Sequence, residues 1–197
     1  MFTDLARRSS KWLLDPLSAL LARTGISPNA LTIAGFLLNV GVAYILSTGR
    51  FFWGGVALLA ANAFDALDGA LARATGRTTR FGAFLDSTLD RYSEAVVLLG
   101  LLVHFARAGA SAPTILIFAT MVGSLLVSYT RARAQGLGIE CKEGLLTRME
   151  RVLLLALFLL INQMIIGLWV LAVLANLTAL QRIYVVWRKT QDRGQKA

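Results

Sequence analysis

Four aspartates stand close together in a chain that is otherwise largely apolar, in the stretch Asp65 to Asp90, DALDGALARATGRTTRFGAFLDSTLD. The fixed positions read D-x-x-D-G-x-x-A-R, then eight residues, then G-x-x-x-D-x-x-x-D: Asp65, Asp68, Gly69, Ala72, Arg73, Gly82, Asp86 and Asp90. On helices, spacings of three and four put Asp65, Asp68 and Ala72 on one stripe and Gly82, Asp86 and Asp90 on another. Two such stripes facing each other make a cage of four carboxylates. Carboxylates at that range repel unless positive charge sits among them, and hard oxygen donors select Mg²⁺, Mn²⁺ or Ca²⁺ over thiophilic metals. The pattern therefore calls for divalent metal, as a pair of ions. Small residues at Gly69, Ala72 and Gly82 leave room for a bulky ligand, and Arg73 is placed to meet its phosphates. The same carboxylates can instead pair with Arg73, Arg77, Arg80 and Arg91 as intramembrane salt bridges.

At every fixed position this stretch resembles the signature of the CDP-alcohol phosphatidyltransferases, integral membrane enzymes that move a phosphatidyl group from a CDP-linked lipid to an alcohol and release CMP. The resemblance implies that Asp65, Asp68 and Asp86 hold Mg²⁺ or Mn²⁺, that Asp90 serves as a further ligand or as the general base, and that Gly69, Ala72, Arg73 and Gly82 meet the nucleotide. It further marks Asn29, Ala30, Leu31 and Thr32, in a P-N-x-x-T stretch, and Thr79 as contacts for CDP. A homodimer is also implied, with Gly100 and Gly123 as surfaces for close helix packing.

Apolar helices must position these residues. The chain has 197 residues, of which 56% are hydrophobic, and its mean hydropathy is positive, too apolar for a soluble globule. Runs of about twenty apolar residues, the length that crosses about 30 Å of hydrocarbon, recur at about 30–48, 51–74, 82–107, 111–136, 148–166 and 167–189. The expected fold is thus an all-α integral membrane protein with six transmembrane helices in one domain over 25–190. An amphipathic juxtamembrane helix over 1–24 precedes it and a flexible tail over 191–197 follows. No removable signal peptide is expected. Pro28 behind Ser27 starts the first crossing, and Thr147 with Glu150 offers a capping box for the fifth.

Of the 20 Lys and Arg, all but Arg50 and Arg107 fall on one side of such a layout. That bias places both termini and the aspartate loop in the cytoplasm, in a cell membrane. The net charge of +9 is then a topology signal, with anionic lipids as partners and no nucleic acid. Helix rise sets Asp65 about 22 Å in from Arg50 and Asp90 about 26 Å in from Arg107, one level a few ångströms inside the cytoplasmic edge. A lipid diphosphate fits there. The single Cys141 excludes an internal disulfide, and His104, near an outer helix end, reads as a packed interfacial residue.

Arg131, Arg133, Arg151 and Arg182 come from three helices at one depth, and converging guanidinium groups make an anion site. Alternatively they are solvated juxtamembrane charges. With Ser128 they resemble the acceptor-phosphate region of bacterial phosphatidylinositol phosphate synthases, although Met149 stands where that group tends to have proline. The expected reaction is transfer from CDP-diacylglycerol to a phosphorylated polyol, myo-inositol 1-phosphate first and glycerol 3-phosphate as the alternative, the latter making the chain a phosphatidylglycerophosphate synthase. A cation or proton transporter using intramembrane aspartates is the reading from a different class.

Overall fold

The computed structural model describes Ala22, residues 25–141 and residues 143–194. Apart from Ala22, the surface helix expected over 1–24 lies outside the described residues. Six long helices follow: α1 (Pro28–Ser47), α2 (Phe51–Ala74), α3 (Arg80–Arg107), α4 (Ser111–Gly136), α5 (Arg148–Leu160) and α6 (Met164–Gly194). No strand occurs among the described residues.

The helix ends are written in the sequence. Ser27 caps α1, its Oγ accepting the Ala30 N–H at 3.2 Å, with Pro28 in the first helical position where a missing N–H costs nothing. Thr79 caps α3 by accepting the Gly82 N–H at 2.9 Å. The capping box at Thr147 forms, with Glu150 accepting the Thr147 N–H at 2.5 Å. α4 closes on Gly138, at φ 69°: Ile139 N–H reaches back to the Ala134 carbonyl at 2.9 Å and Gly138 N–H to Gln135 at 3.0 Å, a Schellman motif.

Two boundaries differ from expectation. The fifth helix was expected to run to 166 but stops at Leu160, because Asn162 takes the left-handed conformation (φ 56°) and closes the helix with the same pair of backward bonds. Asn adopts that region far more readily than its apolar neighbours do. At the other end, α6 continues through Gly194, so 191–194 is helical instead of a flexible tail. Nothing in Arg188-Lys189-Thr190-Gln191 breaks a helix, and the Thr190 hydroxyl bonds back to the Trp187 carbonyl at 2.6 Å.

Among the described residues four helices, α1, α2, α4 and α6, are long and apolar enough to cross a membrane. α3 has 28 residues but carries Arg80, Asp86, Asp90, Arg91 and Glu94 in its first fifteen, and α5 has only 13. Large apolar side chains such as Leu37, Tyr44, Trp53, Ile115, Phe118 and Trp169 stand exposed, as lipid-facing residues do.

The described residues divide into two compact units, one of Ala57–Val97 with the chain up to Val42, the other of Ala43–Val56 with the chain from Leu98 onward. In the first, Gly35 of α1 faces α2, where a Cβ would come within 3.2 Å of Asp65 Oδ1, and Phe36 meets Tyr92 edge-on at 6.5 Å. In the second, α4 and α6 approach closely. Asn176 Nδ2 donates to the Ala119 carbonyl at 3.0 Å, and a Cβ on Gly123 would lie 2.7 Å from that same Nδ2. Gly100 likewise lies against the backbone of Ala43, 2.7 Å from its Cα for a Cβ built there. Both glycines are therefore used for packing within the chain and are not free surfaces for a second copy.

Candidate active site

All four aspartates belong to the first unit. Asp65 and Asp68 lie in the last turns of α2, Asp86 and Asp90 in the first turns of α3, and the short link 75–79 brings those two ends together. One carboxylate oxygen from each of Asp65, Asp68 and Asp86 lies within 4.8 Å of the others. At an effective dielectric near 20, each such pair of charges repels by about 3 kcal/mol, so the group demands a counter-charge. Asp68 is buried and held from two sides: the buried Thr32 hydroxyl donates to Oδ2 at 2.6 Å, and the Gly69 N–H donates to Oδ1. These acceptor-only oxygens, close and fixed, suit a hard divalent cation. Asp90, one turn further along α3, is not one of the three; its Oδ2 meets Arg91 Nη1 at 3.3 Å.

Beside the carboxylates lies a cavity of about 190 Å³ lined by Pro28, Asn29, Thr32, Asp68, Gly69, Ala72, Arg73, Arg77, Thr78, Thr79, Gly82, Ala83 and Asp86. Seven of the residues expected to meet a nucleotide are here: Asn29, Thr32, Gly69, Ala72, Arg73, Thr79 and Gly82. Ala30 and Leu31 are not. In the first turn of α1 the positions 28, 29 and 32 share a face, while Ala30 turns to the exposed side and Leu31 into the packed interior. Glycine is needed at 82, where a Cβ would crowd Thr79 Oγ1 at 3.0 Å and Asn29 Oδ1 at 3.1 Å. Sequence reasoning missed Pro28, Thr78, Ala83 and the role of Gly35 beside Asp65. The helical spacing of Pro28 and Gly35 from Thr32 was the available signal.

The expected acceptor residues lie in the second unit. Arg151 and Arg182 are buried, at 2% and 3% exposure. Arg182 Nε donates to the Glu143 carbonyl at 2.9 Å and Nη1 to the Val127 carbonyl, and Arg151 Nη1 donates to the Leu146 carbonyl at 3.3 Å. Ser128, half-buried, lies one residue beyond Val127 on α4. Arg131 and Arg133 are both exposed on α4, two residues and so about 200° apart around the helix.

An all-helical chain with several apolar spans and a carboxylate cluster beside a cavity fits a membrane enzyme. Residues 25–184 match the family model of the CDP-alcohol phosphatidyltransferases, and the chain belongs to this family: it is a multi-pass membrane enzyme of phospholipid synthesis. It is 38% identical to the archaetidylinositol phosphate synthase of Pyrococcus horikoshii over 90% of this chain and 93% of that one. Among solved structures it resembles the phosphatidylinositol phosphate synthase of Mycobacterium tuberculosis with CDP-DAG bound, at TM-score 0.84 and 33% identity, covering 88% of this chain and 93% of that one. The same enzyme with manganese and citrate matches at TM-score 0.81 and 33% identity, covering 88% of each chain. The transporter reading falls with this membership.

Proposed function

We propose that this enzyme transfers the phosphatidyl group of CDP-diacylglycerol to myo-inositol 1-phosphate, releasing CMP. The observation that carries the choice of a phosphorylated acceptor is the pair of buried guanidinium groups, Arg151 and Arg182, which come from two helices and bind carbonyls of the same connection, at Leu146 and Glu143. Converging guanidinium groups make a site for an anion such as phosphate. The names of the relatives support inositol phosphate over glycerol 3-phosphate.

In this reading Asp65, Asp68 and Asp86 hold Mg²⁺ or Mn²⁺, as two ions. When bound, the metal supplies a Lewis acid for the lipid diphosphate and neutralises charge on the departing phosphate. The cavity takes the cytidine nucleotide: Arg73 meets phosphate, Thr79 and Asn29 offer hydrogen bonds, and Gly69, Ala72 and Gly82 leave space. Asp90 takes the proton of the acceptor hydroxyl as that oxygen bonds to the phosphorus carrying diacylglycerol. The bond from this phosphorus to the bridging oxygen breaks, and the electron pair leaves with CMP. Ser128, Arg131, Arg151 and Arg182 hold the acceptor phosphate.

The six helices are read as six crossings of the cell membrane, preceded by the amphipathic helix over 1–24. An even number puts both termini on one side, and the Lys and Arg bias makes it the cytoplasm. A homodimer is retained from the family likeness.

The test is CMP release by purified protein given CDP-diacylglycerol and, in turn, myo-inositol 1-phosphate, glycerol 3-phosphate, free inositol, glycerol and serine. Myo-inositol 1-phosphate is expected to be preferred; equal use of unphosphorylated alcohols would overturn the reading. Arg182→Ala is expected to raise the apparent constant for the phosphorylated acceptor about ten- to a hundredfold by loss of a charge-assisted hydrogen bond, with the CDP-diacylglycerol constant unchanged. Thr32→Val keeps the shape of a buried side chain but removes the donor to Asp68. Activity titrated with Mn²⁺ should show a half-saturation point raised about tenfold. An unaltered titration curve would leave Thr32 a packing residue only.

A further inference from the structure

The connection between α4 and α5 is fastened along one face of α6. The Leu146 N–H donates to Thr178 Oγ1 at 3.1 Å and the Leu145 N–H to Gln181 Oε1 at 3.1 Å. Lys189 Nζ donates to the Glu140 carbonyl at 2.8 Å and to Glu143 Oε1 at 2.6 Å. Thr178, Arg182 and Lys189 follow at spacings of four and seven, one stripe of the helix. In return, the connection offers carbonyls to both buried guanidinium groups: Glu143 accepts from Arg182 and Leu146 from Arg151.

Gly144 sits at the closest approach. A Cβ there would come within 3.0 Å of Thr178 Cγ2 and 3.2 Å of both Nε and Nη2 of Arg182. A solvated arginine would swing aside at little cost. This one is buried, and its Nε and Nη1 are committed to the Glu143 and Val127 carbonyls, so turning away breaks two hydrogen bonds in a buried site. Thr178 is equally fixed: it is fully buried, donates to the Leu174 carbonyl at 2.7 Å and accepts from Leu146.

We propose that this connection is a strap that sets the aim of the Arg182 guanidinium, and that Gly144 is a positioning residue for binding of the acceptor phosphate. The inference rests on the reading that Arg151 and Arg182 hold that phosphate. With Nε and Nη1 occupied, the Nη2 edge is what Arg182 has left for an anion, and it is the edge that a side chain at 144 would push.

The experiment is steady-state kinetics on the full-length protein in detergent with CDP-diacylglycerol and myo-inositol 1-phosphate. Gly144→Ala is expected to raise the acceptor KM about tenfold, as a misplaced binding group does, while kcat and the KM for CDP-diacylglycerol stay near wild type. Adding Thr178→Ser, which removes Cγ2 but keeps the hydroxyl, should restore most of the loss. A wild-type acceptor KM in Gly144→Ala, or a lower kcat with both KM values raised alike and no rescue, overturns the strap. If Gly144→Ala does not fold, Thr178→Val decides: it deletes the acceptor for the Leu146 N–H at constant shape, and a raised acceptor KM supports the proposal while an unchanged one sinks it. Arg182→Ala separates the layers. A raised acceptor KM there beside an unchanged Gly144→Ala removes only the strap, whereas no effect in Arg182→Ala removes the underlying assignment of the arginines.

Discussion

Asp68→Asn is expected to lower CMP release by at least about a thousandfold, and added Mn²⁺ should recover little of it. The substitution does two things at once. It removes one negative charge from a group of three carboxylates whose oxygens lie within 4.8 Å of one another. It also turns half of an acceptor-only group into a donor, at a position where the Thr32 hydroxyl and the Gly69 N–H already point donors at both oxygens. With the Gly69 N–H on the remaining oxygen, the NH₂ faces the Thr32 hydroxyl, which must turn its proton to the Pro28 carbonyl at 3.1 Å and accept instead, so that one oxygen ligand and its charge are lost to the metal. The measurement is turnover against Mn²⁺ concentration, paired with a melting temperature to show that the protein folds. Activity within tenfold of wild type at an unshifted Mn²⁺ requirement would remove Asp68 from the metal set.

Asp90→Asn is expected to lower kcat about a hundred- to ten-thousandfold, the range for loss of a general base, while binding of CDP-diacylglycerol and the Mn²⁺ half-saturation point hold. The reason lies in where the fourth aspartate stands. It follows Asp86 by one helical turn but is absent from the three-oxygen group, and its carboxylate meets Arg91 instead. In the proposed reaction this carboxylate takes the acceptor's proton, and asparagine copies its shape without its basicity. If the Mn²⁺ requirement rises together with the fall in kcat, Asp90 is a ligand and the base must be sought elsewhere. Wild-type rates would exclude it from both tasks.

The sequence by itself determined most of the first unit's chemistry. Asp65, Asp68, Gly69, Ala72, Arg73, Gly82 and Asp86 are spaced at three and four on two helices joined by five residues, and that spacing alone puts them on facing stripes. The caps at Ser27 and Thr147 were equally plain, because capping is a local transaction between a side chain and a backbone three residues on. Tertiary structure decided what local periodicity cannot address. Ala30 and Leu31 lie in the right motif yet on the wrong faces of α1, since only the packing of that helix selects which positions see the cavity. Gly100 and Gly123 looked like surface for a partner until Ala43 and Asn176 filled the space beside them. The fifth helix ended early through one left-handed asparagine. The strap on α6 was the least legible feature: Glu143 and Arg182, or Leu146 and Thr178, are more than thirty residues apart, and a bond from a side chain to a main-chain group leaves no mark on the identity of the residue that supplies the main chain.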